Sequence, residues 1–359
     1  MVKDVPPTSI RVLPELRATQ VEQSLLMTPA QTLYFRTNFD LEGTPIPESF
    51  LKVSTASAAR FIARSNADVL ELPEPLWIRF LPVSFALALS WRLSGLVRRR
   101  NRRARTYAIE NNDPAIVLFG ARNPPRLVKT LGLLAVGLIF RTMYEKVAYG
   151  TQGAANAYSR LPFARGVRSN VVPALPAAVV EAQADSPQSA VFVGRLEKRK
   201  GASGLIRCWP AIEMENPGAV LTIIGDGPLR SDVEAWASGG PDSRAFLGGI
   251  AHSAALVAVS NARILVAPSL RDGRWREQVG LPIVEGLSRG LTIVTSEDTG
   301  LSEWLRSNGH FVYSNSGGED ALRRALSDAI RAPIDRQAVL DSLPSRHGRL
   351  EADRWIHHD

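Results

Sequence analysis

The chain of 359 residues contains one cysteine, Cys208. No disulfide can close within it, so a reducing compartment is expected. The opening stretch MVKDVPPTSIRVLPELRATQ has no apolar core, which argues against a signal peptide. The longest apolar run, Leu131 to Phe140, lies between Lys129 and Arg141. It falls far short of the ~20 residues that a membrane-spanning helix needs, and a buried helix is expected there. Histidine is scarce, with five in all and the first at His252. No internal repeat and no long low-complexity tract interrupts the chain.

Composition is otherwise that of a globular protein, with 45% hydrophobic and 22% charged residues. At roughly 100–200 residues per domain, the length suggests two domains. Charge is unevenly divided. Residues 1–174 hold 23 Lys/Arg against 12 Asp/Glu, a net of +11, whereas residues 175–359 hold 20 against 23, a net of −3. Residues 51–174 alone carry 19 basic and 6 acidic side chains. The first half therefore presents a basic face, suited to anionic lipid, a phosphorylated acceptor or nucleic acid.

The second half reads as alternating short strands and helices. Strands are expected at 189–193, 219–224, 245–247, 263–267, 291–295 and 310–313. Helices are expected at 202–214, from 229, and at 253–260, 282–289, 300–306 and 319–331. Such alternation argues for a parallel sheet covered on both faces, with ligands at the carboxyl ends of the strands. In the first half, strands are expected at 32–37, 67–72, 106–109, 115–119 and 146–149, with an apolar helix over 78–97. Residues 174–188, rich in Ala, Pro and polar residues, are expected to form the interdomain hinge.

Three segments of the second half could carry chemistry. Gly194-Arg195-Leu196-Glu197-Lys198-Arg199-Lys200-Gly201 follows a strand and flanks four cations with glycine. Such a loop can set Arg195 and Lys200 against a diphosphate, or be a solvated basic turn. Gly225-Asp226-Gly227-Pro228-Leu229-Arg230 ends a strand and lets a ligand approach the backbone closely, or is a plain strand-to-helix turn. It lacks the G-x-G-x-x-G spacing of a dinucleotide site. The third is Pro268-Ser269 followed by Glu277-Gln278-Val279-Gly280-Leu281-Pro282-Ile283-Val284-Glu285-Gly286. Pro282 suits the first turn of a helix, and the amides of Gly280 and Leu281 would offer an anion site at its start. Glu285 lies one turn beyond Leu281 on the same face. Two carboxylates thus flank a phosphate-sized cradle, although an acidic first turn also simply stabilises a helix.

Taken together and in this order, these segments resemble the signature of the retaining family-four glycosyltransferases: Glu-x₇-Glu after Pro-Ser, with G-R-L-x-x-x-K-G and G-x-G-P-L-R upstream. Leu247-Gly248-Gly249 resembles the family's loop beside the base, and Thr295 through Glu303 its closing segment. The resemblance covers roughly residues 188–332. It implies the α/β GT-B architecture, with two Rossmann-like domains facing across a cleft. Residues 1–174 would form an acceptor-binding domain, 175–332 a nucleotide-sugar domain, and 333–359 a segment crossing back to the first. It implies a hexose transferred from a UDP- or GDP-sugar to a glycan or lipid-linked acceptor in polysaccharide or glycolipid biosynthesis.

The resemblance also implies residue roles. Arg195 and Lys200 would neutralise the leaving diphosphate, Glu277 would hold hydroxyls of the donor sugar, and Glu285 would hold the ribose. Gly194, Gly225, Gly249, Ile250, Gln278, Val279, Gly280 and Leu281 would line the donor. No metal or other cofactor is expected, because cations and a helix start do that work. The histidine that such proteins often carry in the N-terminal domain has no counterpart, and Glu110-Asn111-Asn112-Asp113 is the polar segment expected to take its place. The family's N-terminal glycine-rich loop is matched at best by Asn38–Gly43.

Leu93 to Arg105, LSGLVRRRNRRAR, follows the apolar helix with Arg98, Arg99, Arg100, Arg102, Arg103 and Arg105. An apolar face joined to a polybasic end suits an anionic membrane surface, and equally a solvated helix end. A cytoplasmic protein, peripheral at the inner face of the membrane, is expected. Nucleic acid is not an expected partner, since aromatic residues are not interleaved with the basic run. Other functions open to such a chain are a non-catalytic nucleotide- or glycan-binding subunit, and a nucleotide-sugar epimerase or phosphorylase on the same fold.

Overall fold

The computed structural model describes residues 8–38, 41, 45–120, 122–179 and 188–358. The chain divides into two compact units, residues 1–173 with 349–359, and residues 174–348.

The first unit runs β1 (Ser9–Leu16), α1 (Ala18–Ser24), β2 (Gln31–Thr37), β3 (Phe50–Lys52), α2 (Thr55–Arg64), β4 (Val69–Glu71), α3 (Leu81–Val97), β5 (Ala104–Ala108), α4 (Pro114–Phe119), α5 (Arg126–Met143), β6 (Tyr144–Tyr149), α6 (Gln152–Tyr158) and β7 (Arg168–Val171). Its seven strands are all parallel, in the order β3-β2-β1-β4-β5-β6-β7. The order reverses direction between β1 and β4. One core, containing Ile62, Leu87, Trp91, Val136 and Phe140, joins the sheet to α2, α3 and α5.

The second unit runs β8 (Ser189–Val193), α7 (Ala202–Glu215), β9 (Val220–Ile224), α8 (Arg230–Ser238), β10 (Arg244–Gly248), α9 (His252–Ser260), β11 (Ile264–Ala267), α10 (Leu281–Ser288), β12 (Thr292–Ser296), α11 (Ser302–Ser307), β13 (Phe311–Tyr313), α12 (Gly318–Arg331) and α13 (Arg336–Asp341). Its six parallel strands follow the order β10-β9-β8-β11-β12-β13, the Rossmann order, reversing between β8 and β11. Strand residues such as Leu221, Ile223, Leu265 and Ile293 are fully buried, as a sheet covered on both faces requires. The last helix, α14 (Gly348–His358), returns to the first unit, where Ala352 and Ile356 pack on Ala148 of β6.

Four expectations are corrected. Residues 115–119 form a helix, not a strand, because Pro114 occupies its first turn and Asp113 caps it by accepting from the Ala115 amide at 2.8 Å. The run at 131–140 belongs to α5 and is buried on one side only. Val136 and Phe140 enter the core, whereas Leu131 and Leu138 are exposed. The basic run from Arg98 to Arg105 is not one solvated surface. Arg102 is buried, stacked 4.0 Å over Trp91 and donating to the carbonyls of Ser65 and Ala67. Arg105 pairs with Glu145 and donates to the carbonyl of Ile356. Arg98, Arg99 and Arg100 are exposed, although Arg98 donates to the carbonyls of Arg64 and Ser65 and Arg100 pairs with Asp68, and Arg103 is half-buried. The segment Glu110–Asp113 is engaged locally rather than free for a sugar. The Glu110 amide donates to Glu74, its carboxylate accepts from the Asn112 amide, and Asp113 pairs with Arg160.

Residues 180–187 of the expected hinge lie outside the described residues, and residues 174–179 pack on the second unit, with Leu175 in its core. Of the loop at 38–43, residues 39, 40, 42 and 43 also lie outside them.

Candidate donor site

The site in the second unit is assembled at the carboxyl ends of β8, β9, β11 and β12. Three backbone loops meet there without room for side chains. At Gly201, the left-handed N-cap of α7 with φ +80°, a Cβ would stand 2.0 Å from the carbonyl oxygen of Pro268. At Gly225, with φ +147°, a Cβ would stand 1.8 Å from that of Gly194. Glycine is required at both positions for geometry and for close approach. The Gly194 amide donates to the Ile224 carbonyl and the Gly225 amide to that of Gly248, so the loops after β8, β9 and β10 are stitched together. Gly249 abuts Asp226 across the same seam, and exposed Ile250 follows it.

This packing brings Lys200 to Glu277. The Lys200 ammonium donates to Glu277 Oε2 at 2.5 Å, and Ser269 Oγ donates to the same oxygen at 3.2 Å. The Glu277 carbonyl accepts from the Gly300 amide at 3.0 Å, which fixes the loop before α10 to the loop after β12. Trp275 lies beneath the cations, with Arg199 4.5 Å and Lys200 4.9 Å from its ring. Gly280, at φ +82°, turns the chain into α10. The first amides of that helix, at Leu281 and Ile283, have no partner within it, and its dipole favours an anion there. Leu281 is exposed, Gln278 and Val279 are half-buried, and Val279 packs against the core beneath.

Arg195 stands apart from the Lys200–Glu277 pair. Its side chain is largely exposed and lies 3.7 Å from Glu197, beyond hydrogen-bonding distance. Glu285 is also not free. Its Oε1 lies 2.7 Å from Nε2 of the exposed His252, at the start of α9. Trp275 and His252 are the two neighbours that sequence reasoning missed. Position gave one signal, since His252 lies three residues beyond the Leu247-Gly248-Gly249 loop.

A group of possible metal ligands among the described residues, Glu71, Asp353 and His357, lies in the first unit. Cations already occupy its centre. Arg11 contacts Glu71 at 2.8 Å and Asp353 at 2.6 Å, and Arg349 contacts Glu71 at 2.5 Å. Burial would raise the Glu71 carboxyl, but Arg349 and Arg11 overcome it and hold it at about 2. The group is a closed ion-pair network.

Residues 179–341 match the family described as glycosyl transferases group 1. Curated relatives include an uncharacterized glycosyltransferase of Methanocaldococcus jannaschii (31% identical over 40% of this chain and 37% of that one). A glycogen synthase of Mycobacterium tuberculosis is 33% identical over 43% and 35%. A GDP-mannose-dependent alpha-(1-6)-phosphatidylinositol monomannoside mannosyltransferase of Mycolicibacterium smegmatis is 27% identical over 46% and 44%. The chain thus spans less than half the length of these relatives. Solved structures match over nearly the whole chain. The lipopolysaccharide outer core galactosyltransferase WaaB aligns with TM-score 0.64, 13% identity and coverage of 97% and 98%. Anabaena HepE in complex with UDP aligns with TM-score 0.62, 12% identity and coverage of 97% and 95%. At such identity the likeness shows the fold, which is GT-B with two Rossmann-like domains.

Proposed function

We propose that this chain, whose residues 179–341 match the family described as glycosyl transferases group 1, is a retaining hexosyltransferase using a UDP- or GDP-sugar. The observation that carries the reading is the Lys200–Glu277 pair set against the start of α10. A cation, a carboxylate and free helix amides converge where the loops after β8 and β11 meet, at the point of strand-order reversal where Rossmann-like sheets take their ligands. The UDP held by HepE and the GDP-mannose named for the mannosyltransferase support the donor class.

In this scheme the diphosphate lies against Lys200, Arg195 and the amides of Gly280 and Leu281. The bond between the sugar's anomeric carbon and the phosphate oxygen breaks as the acceptor hydroxyl attacks the same face, and its proton passes to the departing phosphate. Negative charge grows on the phosphate, so preorganised cations and amides stabilise the transition state. Each charge-assisted hydrogen bond of this kind contributes about 1.5–3 kcal/mol. Glu277 takes sugar hydroxyls and Glu285 the ribose. No step in the scheme calls for a metal.

The acceptor, a glycan or lipid-linked saccharide of a polysaccharide or glycolipid pathway, is assigned to the first unit. A cavity of about 270 Å³ opens there beside the reversal between β1 and β4, lined by Gln20, Gln23, Ser24, Glu74, Trp77 and Arg349, among others. Trp77 is 44% exposed, which is unusual for an indole and suits the C–H face of a sugar ring. The two glutamines offer donors and acceptors for hydroxyls.

The deciding experiment is the thermal shift produced by UDP, GDP and their sugars, beside an Arg195→Ala/Lys200→Ala control. Ligand at 100 times its Kd adds about 2.7 kcal/mol of stability. A shift with one nucleotide, lost in the control, supports the reading. Absence of a shift with every nucleotide would replace it with that of a non-catalytic binding subunit.

A further inference from the structure

We propose that the first unit holds a second ligand site, a cationic cavity that binds the phosphoryl group of a small soluble molecule. A cavity of about 430 Å³ opens at the amino ends of β5, β6 and β7 and beside the end of α14, lined by Arg103, Arg105, Lys146, Arg168 and His357, among others. Parallel sheets take their usual ligands at the carboxyl ends of the strands, and there Tyr107 and Ile109 line the cavity assigned to the acceptor. The two cavities thus sit at opposite ends of β5. All the residues of the second cavity belong to the first unit.

Charge in this cavity is unbalanced. Among the described residues its lining carries four cations and one carboxylate, Glu145, which lies 2.6 Å from Arg105. Arg105 and Lys146 also donate to the last carbonyls of α14, at Ile356 and Trp355. Lys146 is only 6% exposed, and its ammonium lies 5.2 Å from the Trp355 ring, with Arg168 5.8 Å from the same ring. Two buried nitrogens on the lining have no hydrogen-bond partner, Arg103 Nε and His357 Nε2. The His357 side chain is 2% exposed, and its Nδ1 donates to the carbonyl of Asp353 at 2.9 Å. Buried polar atoms are paired in native proteins, and a ligand that brings oxygens accounts for two orphans on one lining. A phosphoryl group fits the set. Its oxygens accept from the guanidiniums and the ammonium, and its O–H can donate to the His357 Nε2. Among the described residues β5, β6, β7 and α14 expose no large apolar side chain, so nothing there suits an acyl chain. The concave lining suits a compact anion rather than a long polyanion.

The site does not rest on the donor-site reading, and the test separates the two. Sodium diphosphate is titrated calorimetrically into the full chain and into its Arg195→Ala/Lys200→Ala variant, which lacks the proposed donor cations. Binding of one equivalent should persist in that variant. Adding Arg103→Gln/Arg168→Gln should weaken it about a hundred-fold, for the loss of two charge-assisted hydrogen bonds. Arg168 is exposed, so Arg168→Gln alone should keep the melting temperature and still weaken binding about tenfold. The imidazole resonances of His357 should shift in the same titration. Loss of all binding in Arg195→Ala/Lys200→Ala would overturn this site and leave the donor reading standing. Binding that ignores Arg168→Gln, or that leaves His357 unmoved, would overturn it as well. So would binding abolished by about 0.15 M sodium chloride, which marks diffuse charge attraction rather than a built site.

Discussion

The Lys200 ammonium lies 2.5 Å from Glu277 Oε2, across a sequence separation of 77 residues. In the free protein the proposed phosphate cation and the proposed sugar-binding carboxylate therefore neutralise each other. In the proposed scheme a diphosphate would compete for Lys200 and release Glu277 to the sugar hydroxyls, which would couple the two halves of the donor. Glu277→Gln should abolish transfer while preserving the melting temperature, because Ser269 still holds the side chain. Lys200→Ala should lower kcat by about 10²–10³-fold, as loss of one preorganised charge stabiliser does. Steady-state kinetics beside thermal melts check both. Full activity in Glu277→Gln would remove the assignment of this site.

That pair was legible in the sequence only as two motifs whose meeting the fold had to provide. The second unit could be read nearly strand by strand, since its short apolar runs alternate with helices and end in glycine turns. Strand Ser189–Val193 lies where it was expected. The first unit resisted because β1 contains Arg11, Pro14 and Glu15, which break any apolar pattern. Arg11 is buried there by virtue of Glu71 and Asp353, partners 60 and 342 residues away that no local window contains. The basic run at 98–105 misled for the same reason: the stacking of Arg102 on Trp91 is tertiary.

Glu285 accepts a contact from His252 where the ribose is proposed to bind. Its loss should therefore weaken nucleotide and nucleotide-sugar alike and leave kcat unchanged, the signature of uniform binding. Glu285→Ala should raise the Kd of the cognate nucleotide by roughly 10- to 100-fold, in line with a charged hydrogen bond. His252→Ala should not weaken it, because the imidazole competes with the ribose for the carboxylate. Isothermal titration calorimetry distinguishes the pair, and tenfold weaker binding in His252→Ala would instead make the histidine a donor ligand.

Trp77 borders the first-unit cavity. Trp77→Ala should raise the KM for the acceptor about tenfold or more, the loss expected of an aromatic contact with its buried area. The thermal shift with nucleotide should be unchanged. An unchanged acceptor KM would move acceptor binding away from this cavity.

Two buried groups set opposing responses to pH. Burial, reinforced by Glu110, pushes the Glu74 carboxyl up to about 7, against a usual 4.5. The folded first unit therefore holds a proton that the unfolded chain has released, and its stability falls as pH rises from 4.5 to 7, by about 3 kcal/mol in all. Burial pushes His310 down to about 4 from 6.5, while its Nδ1 accepts from the Ile293 amide. The unfolded chain then binds the extra proton, so the second unit loses stability as pH falls from 6.5 to 4. Glu74→Gln mimics the protonated acid and should remove the first slope, becoming more stable than the wild type at pH 8 and not at pH 4.5. His310→Gln should flatten the second. Urea unfolding across pH 4–8 measures both, and a Glu74→Gln difference that does not vary with pH would show that Glu74 folds as an ordinary carboxylate.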